Sequence, residues 1–163
     1  MGLFDFVKDA GEKIFGVGDE EKHGASAPQR SLDVVLADKS KGEALKSAIS
    51  KLDLGIQNLR VSYRDGLVTL SGAAPSQAVR EKAVLLAGNT AGVGRVDDQL
   101  TVERPEPEAR MYTVIAGDSL SRIAKQFYGD AKKYPVIFEA NRPMLKDPNK
   151  IYPGQVLRIP PTD

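Results

Sequence analysis

The chain has 163 residues, with 23 Lys plus Arg against 22 Asp plus Glu and a formal net charge of +1. That length accommodates one ordinary domain or two small ones, and the balanced charge supplies no strong field for nucleic acid or an anionic membrane. With no cysteine and a single histidine, His23, zinc–thiolate sites, disulfides and thiol nucleophiles are excluded, and no Ser-His-Asp arrangement is expected.

The N-terminal stretch Met1–Phe15 carries Leu3, Phe6, Val7, Ala10 and Ile14 at helical spacing, with Asp5, Lys8, Asp9, Glu12 and Lys13 mostly opposite. This predicts a short amphipathic helix over 3–15, serving either to cover an apolar face of the next domain or to touch a membrane reversibly. The charges interrupt any secretory core, and no run approaches the roughly 18 apolar residues of a membrane span. A cytoplasmic protein without stable membrane insertion is therefore expected. Residues 16–30 turn to Gly, Ser and charge, as in a flexible connection, and His23 there is expected to be solvated. Residues 31–39 stay unassigned.

Ser40-Lys-Gly-Glu43 has the form of a capping box and predicts a helix start, followed by the stripe Ala44, Leu45, Ala48, Ile49 and Leu52. Leu59–Tyr63 and Leu67–Ser71 flank Asp65-Gly66, a strong hairpin signal because the turn needs positive φ. Ala74-Pro75-Ser76 opens a second helix, with Val79, Ala83, Leu86 and Ala87 on one face and Gly88-Asn89 as its left-handed stop. Arg95–Val102 then reads as a third strand, giving the order αββαβ. Its Asp97-Asp98 pair is no shared acid–base site, because adjacent strand residues point to opposite faces. One is expected in solvent and the other in a local hydrogen bond.

After the Pro-containing segment Glu103–Glu108, strand-like Tyr112–Val114 leads to a helix bearing Leu120, Ile123, Ala124 and Phe127. A second helix carries Tyr134, Ile137, Phe138 and Asn141, and Gln155–Ile159 closes as a strand, giving βααβ. The expected class is α+β with two small domains: an N-terminal segment and linker over 1–30, a first domain over 31–103, a linker over 104–110, and a second domain over 111–163.

Residues 40–103 resemble a BON domain through the αββαβ order, Asp65-Gly-Leu-Val-Thr-Leu-Ser-Gly72 and Gly92-Val-Gly-Arg-Val-Asp-Asp98. Residues 111–160 resemble a LysM domain through Tyr112–Ala124, Ile137–Asn141 and Ile151–Pro160. The whole chain resembles bacterial cytoplasmic potassium-binding proteins of BON–LysM build, also in its opening Gly2–Lys13 and in Asn141–Lys146, and departs from them over 16–39. That resemblance implies a monomeric, non-enzymatic K⁺ sensor, with contact between the two domains and no known protein partner.

Selective K⁺ sites can replace hydration water with neutral carbonyl oxygens, whereas carboxylate clusters favour Ca²⁺ or Mg²⁺. The last turn of a helix exposes carbonyls and carries partial negative charge. The carbonyls of Gly88, Thr90 and Val93 follow such an end, and those of Val7, Ala10 and Glu12 in the Gly11-containing segment can complete a cage. The competing reading makes Gly88 a simple cap and Gly11 a tolerated defect. The LysM resemblance instead implies a groove for N-acetylglucosamine polymers at Gly117, Asp118, Ser119, Leu120, Asn141 and Ile151. The BON resemblance adds an envelope or membrane adaptor as a third possibility.

Overall fold

The structure, a computed structural model, describes residues 2–6 and 32–161. Strand β1 (Gly2–Asp5) is followed by α1 (Leu32–Ser50), β2 (Gln57–Arg64), β3 (Leu67–Ala74), α2 (Gln77–Gly88) and β4 (Arg95–Val102). The four strands form one sheet in the order β1-β4-β3-β2, with β3 and β4 parallel and the other pairs antiparallel. Alternation places Val68, Leu70, Val96 and Leu100 inward, and α1 and α2 cover that side. Asp65 and Gly66 both have positive φ, 50° and 83°, so β2 and β3 are joined as the Asp-Gly pair predicts.

Two expectations are corrected. The first residues of the predicted N-terminal helix form a strand: Leu3 pairs with Asp97 and Phe4 with Val96 along β4. Phe4 thereby turns to the covered side while Leu3 remains exposed, and the open edge of β4 supplies hydrogen bonds that an isolated short helix would lack. The rest of that predicted helix, with Val7, Ala10 and Glu12, and the expected linker with His23 lie outside the described residues. The second correction concerns the capping box. Helix α1 begins at Leu32, so Ser40 and Glu43 sit within it and cap nothing.

The second unit contains β5 (Arg110–Thr113), α3 (Leu120–Tyr128), a 3-10 turn (Ala131–Lys133), α4 (Tyr134–Ala140) and β6 (Val156–Ile159). Strands β5 and β6 pair antiparallel. Ser76 and Ser119, both extended, accept hydrogen bonds from the Val79 and Arg122 amides and so cap α2 and α3. The buried apolar side chains of both units form one continuous cluster, with α2 touching its own sheet and β6.

Helix α1 lies close on β2 because Gly42 has no side chain. A Cβ there would stand 3.2 Å from the Val61 carbonyl oxygen and 3.3 Å from the Tyr63 nitrogen, both backbone atoms that cannot swing aside. Lys41 completes the approach over the Tyr63 ring. Gly42→Val should overpack this crossing and lower stability by about 1–3 kcal/mol. Urea unfolding followed by circular dichroism measures the loss, and an unchanged midpoint would show that α1 is loosely seated.

Candidate functional site

Three of the predicted carbonyl residues, Gly88, Thr90 and Val93, lie at or just after the end of α2. Residues 83–90 are all buried, so the carbonyls of the last helical turn are removed from bulk water and require partners. The Leu85 carbonyl accepts from the Asn89 amide, that of Ala87 from the Thr90 amide, and that of Leu86 from the Thr90 hydroxyl at 2.7 Å. A tight turn follows. The Thr90 carbonyl accepts from the Val93 amide, with Gly92 at φ 85° as that turn requires. The Gly92 carbonyl accepts from the Tyr63 hydroxyl at 2.8 Å.

Gly88 is the last helical residue, and Asn89 follows at φ −84°, ψ 10°, so the expected left-handed stop is corrected. Glycine is needed here for space. A Cβ on Gly88 would clash with the Cε1, Cζ and Cε2 atoms of the Phe6 ring. Phe6 is held in addition by its amide, which donates to the Gly94 carbonyl at 2.8 Å. Phe6 is therefore held directly beside the loop 88–94. Of the six predicted carbonyl residues, Gly88, Thr90 and Val93 share this loop, while Val7, Ala10 and Glu12 lie outside the described residues. Among the described residues no group of three His, Cys, Asp or Glu gathers as a metal site.

The residues of the alternative groove are differently occupied. Asp118 accepts from the Tyr112 hydroxyl at 2.5 Å and from the Ile115 amide at 3.0 Å, and Ser119 caps α3. Leu120 is buried, and Ile151 packs against the core. Asn141 is buried with its amide spent on the Ile137 carbonyl and on both main-chain groups of Arg158. Gly117 has open space around it at φ 89°. Only part of this set faces outward.

Residue reasoning missed a polar seam between the units. Glu81 on α2 accepts from Arg158 Nη2 at 2.7 Å and Nε at 3.0 Å, from the Ala109 amide at 2.8 Å and from Gln77 at 3.3 Å. The side chains are only 5 % (Glu81) and 9 % (Arg158) exposed. Asn89 donates to the Val156 carbonyl at 2.8 Å and accepts from the Val156 amide at 2.9 Å. Beside this seam, burial and then the Arg158 guanidinium push the Lys82 ammonium below its ordinary pKa. Within the first unit, Asp98 turns inward to Arg80 at 2.7 Å and the Leu100 amide, while Asp97 bonds Gln99 on the exposed side. The acidic pair is thus divided between the faces of β4.

Removing one partner of the Glu81–Arg158 pair strands a buried charge. Glu81→Gln should cost about 3–5 kcal/mol in urea unfolding, and the combined Glu81→Leu, Arg158→Met variant should recover most of it. Equal losses in both variants would refute that account. The Asp118 hydrogen bond, reinforced by burial, raises the Tyr112 pKa from 10.0 to about 12. The raised value favours the neutral phenol, so its stabilisation is complete below pH 10 and fades as pH rises towards 12. Asp118→Asn should bring tyrosinate absorbance at the Tyr112 position down towards the ordinary range; an unmoved titration would sink the assignment.

The chain matches the BON domain model over residues 38–104 and the LysM domain model over residues 112–160. It is 43% identical to the potassium binding protein Kbp of Escherichia coli O6:H1 over 98% of this chain and 99% of that protein. An uncharacterized protein of Deinococcus radiodurans is 33% identical over 89% of this chain, which covers 56% of its length. An esterase of Mycobacterium tuberculosis shares 51% identity over 53 residues, 11% of its own length. With both domain models in order and the long match to Kbp, the chain belongs to the Kbp family of BON–LysM proteins.

Proposed function

We propose that this protein binds K⁺ selectively through the backbone carbonyls of Val7, Ala10, Glu12, Gly88, Thr90 and Val93, and that binding stabilises the packed two-domain state. In this reading residues 31–103 are the BON unit, residues 111–163 are the LysM unit, and the monomer acts as a cytoplasmic ion sensor without catalysis. The single observation that carries it is the seating of Phe6 on Gly88, which brings the N-terminal segment to the buried carbonyl end of α2. The match to a relative named a potassium binding protein over nearly its whole length supports the choice of ion.

The chemistry is that of a large, weakly hydrated cation. Carbonyl oxygens carry two lone pairs, so one that accepts a turn hydrogen bond keeps capacity for an ion. The end of a helix adds partial negative charge, and its burial keeps competing water away. An ion bound there ties the N-terminal segment to the loop and stabilises only the arrangement that brings them together.

Calorimetric titration of K⁺-free, full-length protein with KCl should give saturable heat, while NaCl and choline chloride at matched ionic strength give none. Gly88→Ala should displace the Phe6 ring and weaken K⁺ at least about tenfold, because its added methyl competes for the space that brings the segment in. A KCl titration indistinguishable from NaCl would sink the reading.

A further inference from the structure

We infer that Asn89 is a positioning residue that couples the carbonyl loop at the end of α2 to the LysM unit, so that K⁺ at the loop and docking of β6 strengthen one another. This inference rests on the carbonyl-site reading above, and it assigns a task to the side chain lying between the proposed Gly88 and Thr90 carbonyl residues.

Strand β6 has two edges. One pairs with β5, and the other presents the main-chain groups of Val156 and Arg158. These groups are buried and need partners that no third strand among the described residues supplies. Two asparagine amides take the place of that strand. Asn141, from α4's end in the same unit, accepts from the Arg158 amide at 2.8 Å and donates to its carbonyl at 2.9 Å. Asn89, from the other unit, does the same for Val156 at 2.9 Å and 2.8 Å. The LysM unit thus finishes its own edge at Arg158 and relies on the BON unit at Val156.

The position of Asn89 makes this more than interface packing. Its amide closes the last turn of α2 on Leu85 at 2.8 Å, and its neighbours on either side are Gly88 and Thr90. The residue is 1 % exposed and its side chain also lies 3.2 Å from the Met144 sulfur, so it has little freedom to follow a different backbone path. Fixing Asn89 to β6 therefore fixes the peptide unit that bears the Gly88 carbonyl and the next one, which leads into Thr90. By linkage, whatever β6 contributes to ordering those carbonyls, bound K⁺ returns to the Val156 contact.

Amide hydrogen exchange of the full chain in matched KCl and NaCl tests this. K⁺ should slow exchange of the Val156 amide at least tenfold, and more than that of Arg158, which Asn141 holds from within the unit. Asn89→Ala should weaken K⁺ at least tenfold by calorimetry and abolish the K⁺ dependence at Val156. Asn89→Asp keeps the acceptor for the Val156 amide and loses the donor to its carbonyl, so it should fall between. Wild-type K⁺ heat without any change at Val156 would overturn the coupling alone, as would wild-type K⁺ affinity in Asn89→Ala. Absence of K⁺-specific heat from the wild type would overturn the ion site and the coupling together. The wild-type exchange comparison decides the matter even where a variant does not fold.

Discussion

Helix α2 is covered on two sides, and the rest of the molecule depends on satisfying its polar groups there. Its apolar residues Ala83, Val84, Leu85 and Leu86 belong to the core shared by both units. Its length also brings Glu81 and the terminal carbonyls into the same buried zone. A buried carboxylate without donors is costly, so Glu81 gathers Arg158, Gln77 and the Ala109 amide around it. Those partners come from the far strand, from its own helix and from the connecting segment. The charge requirement thereby determines where the connection ends and which part of β6 faces α2.

Apolar contact alone holds two small units together with little preference for one alignment. The seam adds direction. Arg158 presents a planar fork to Glu81, and the Asn89 amide matches the donor and acceptor of one residue on β6. A shift of β6 by one residue would break both sets of bonds and leave their groups buried. The polar seam is thus better read as a device for registry than as a source of net stability.

Short local patterns were legible in part: the Ser40–Glu43 capping box falls inside α1 and caps nothing, while others held. Asp65-Gly66 and Ser76 announced the turn and the helix start that the structure contains. Leu32–Lys39 was opaque because Val35 and Leu36 remain exposed, so no apolar stripe marks that end of α1. The opening strand was misread because Leu3 and Phe6 also satisfy helical spacing, while the deciding factor, the free edge of β4, lies more than ninety residues away. The Asn89–Val156 and Glu81–Arg158 contacts span 67 and 77 residues, beyond any local pattern. Of the candidate site, Gly88 was visible as a helix end, but its need for space beside Phe6 was not.

Carbonyl chemistry also explains why such a site is quiet in a sequence. Every residue brings the same oxygen, so selectivity resides in how rigidly the peptide units are aimed and not in which side chains are present. The side chains that matter are then those that hold the backbone. Around loop 88–94 these are Phe6 against Gly88, Tyr63 on the Gly92 carbonyl, Thr90 turned back on Leu86 and Asn89 reaching β6. They come from three different parts of the fold. An ion that requires this loop in one shape must therefore favour the state in which all four are engaged, and its influence can extend no further than its preference for that state over the alternatives.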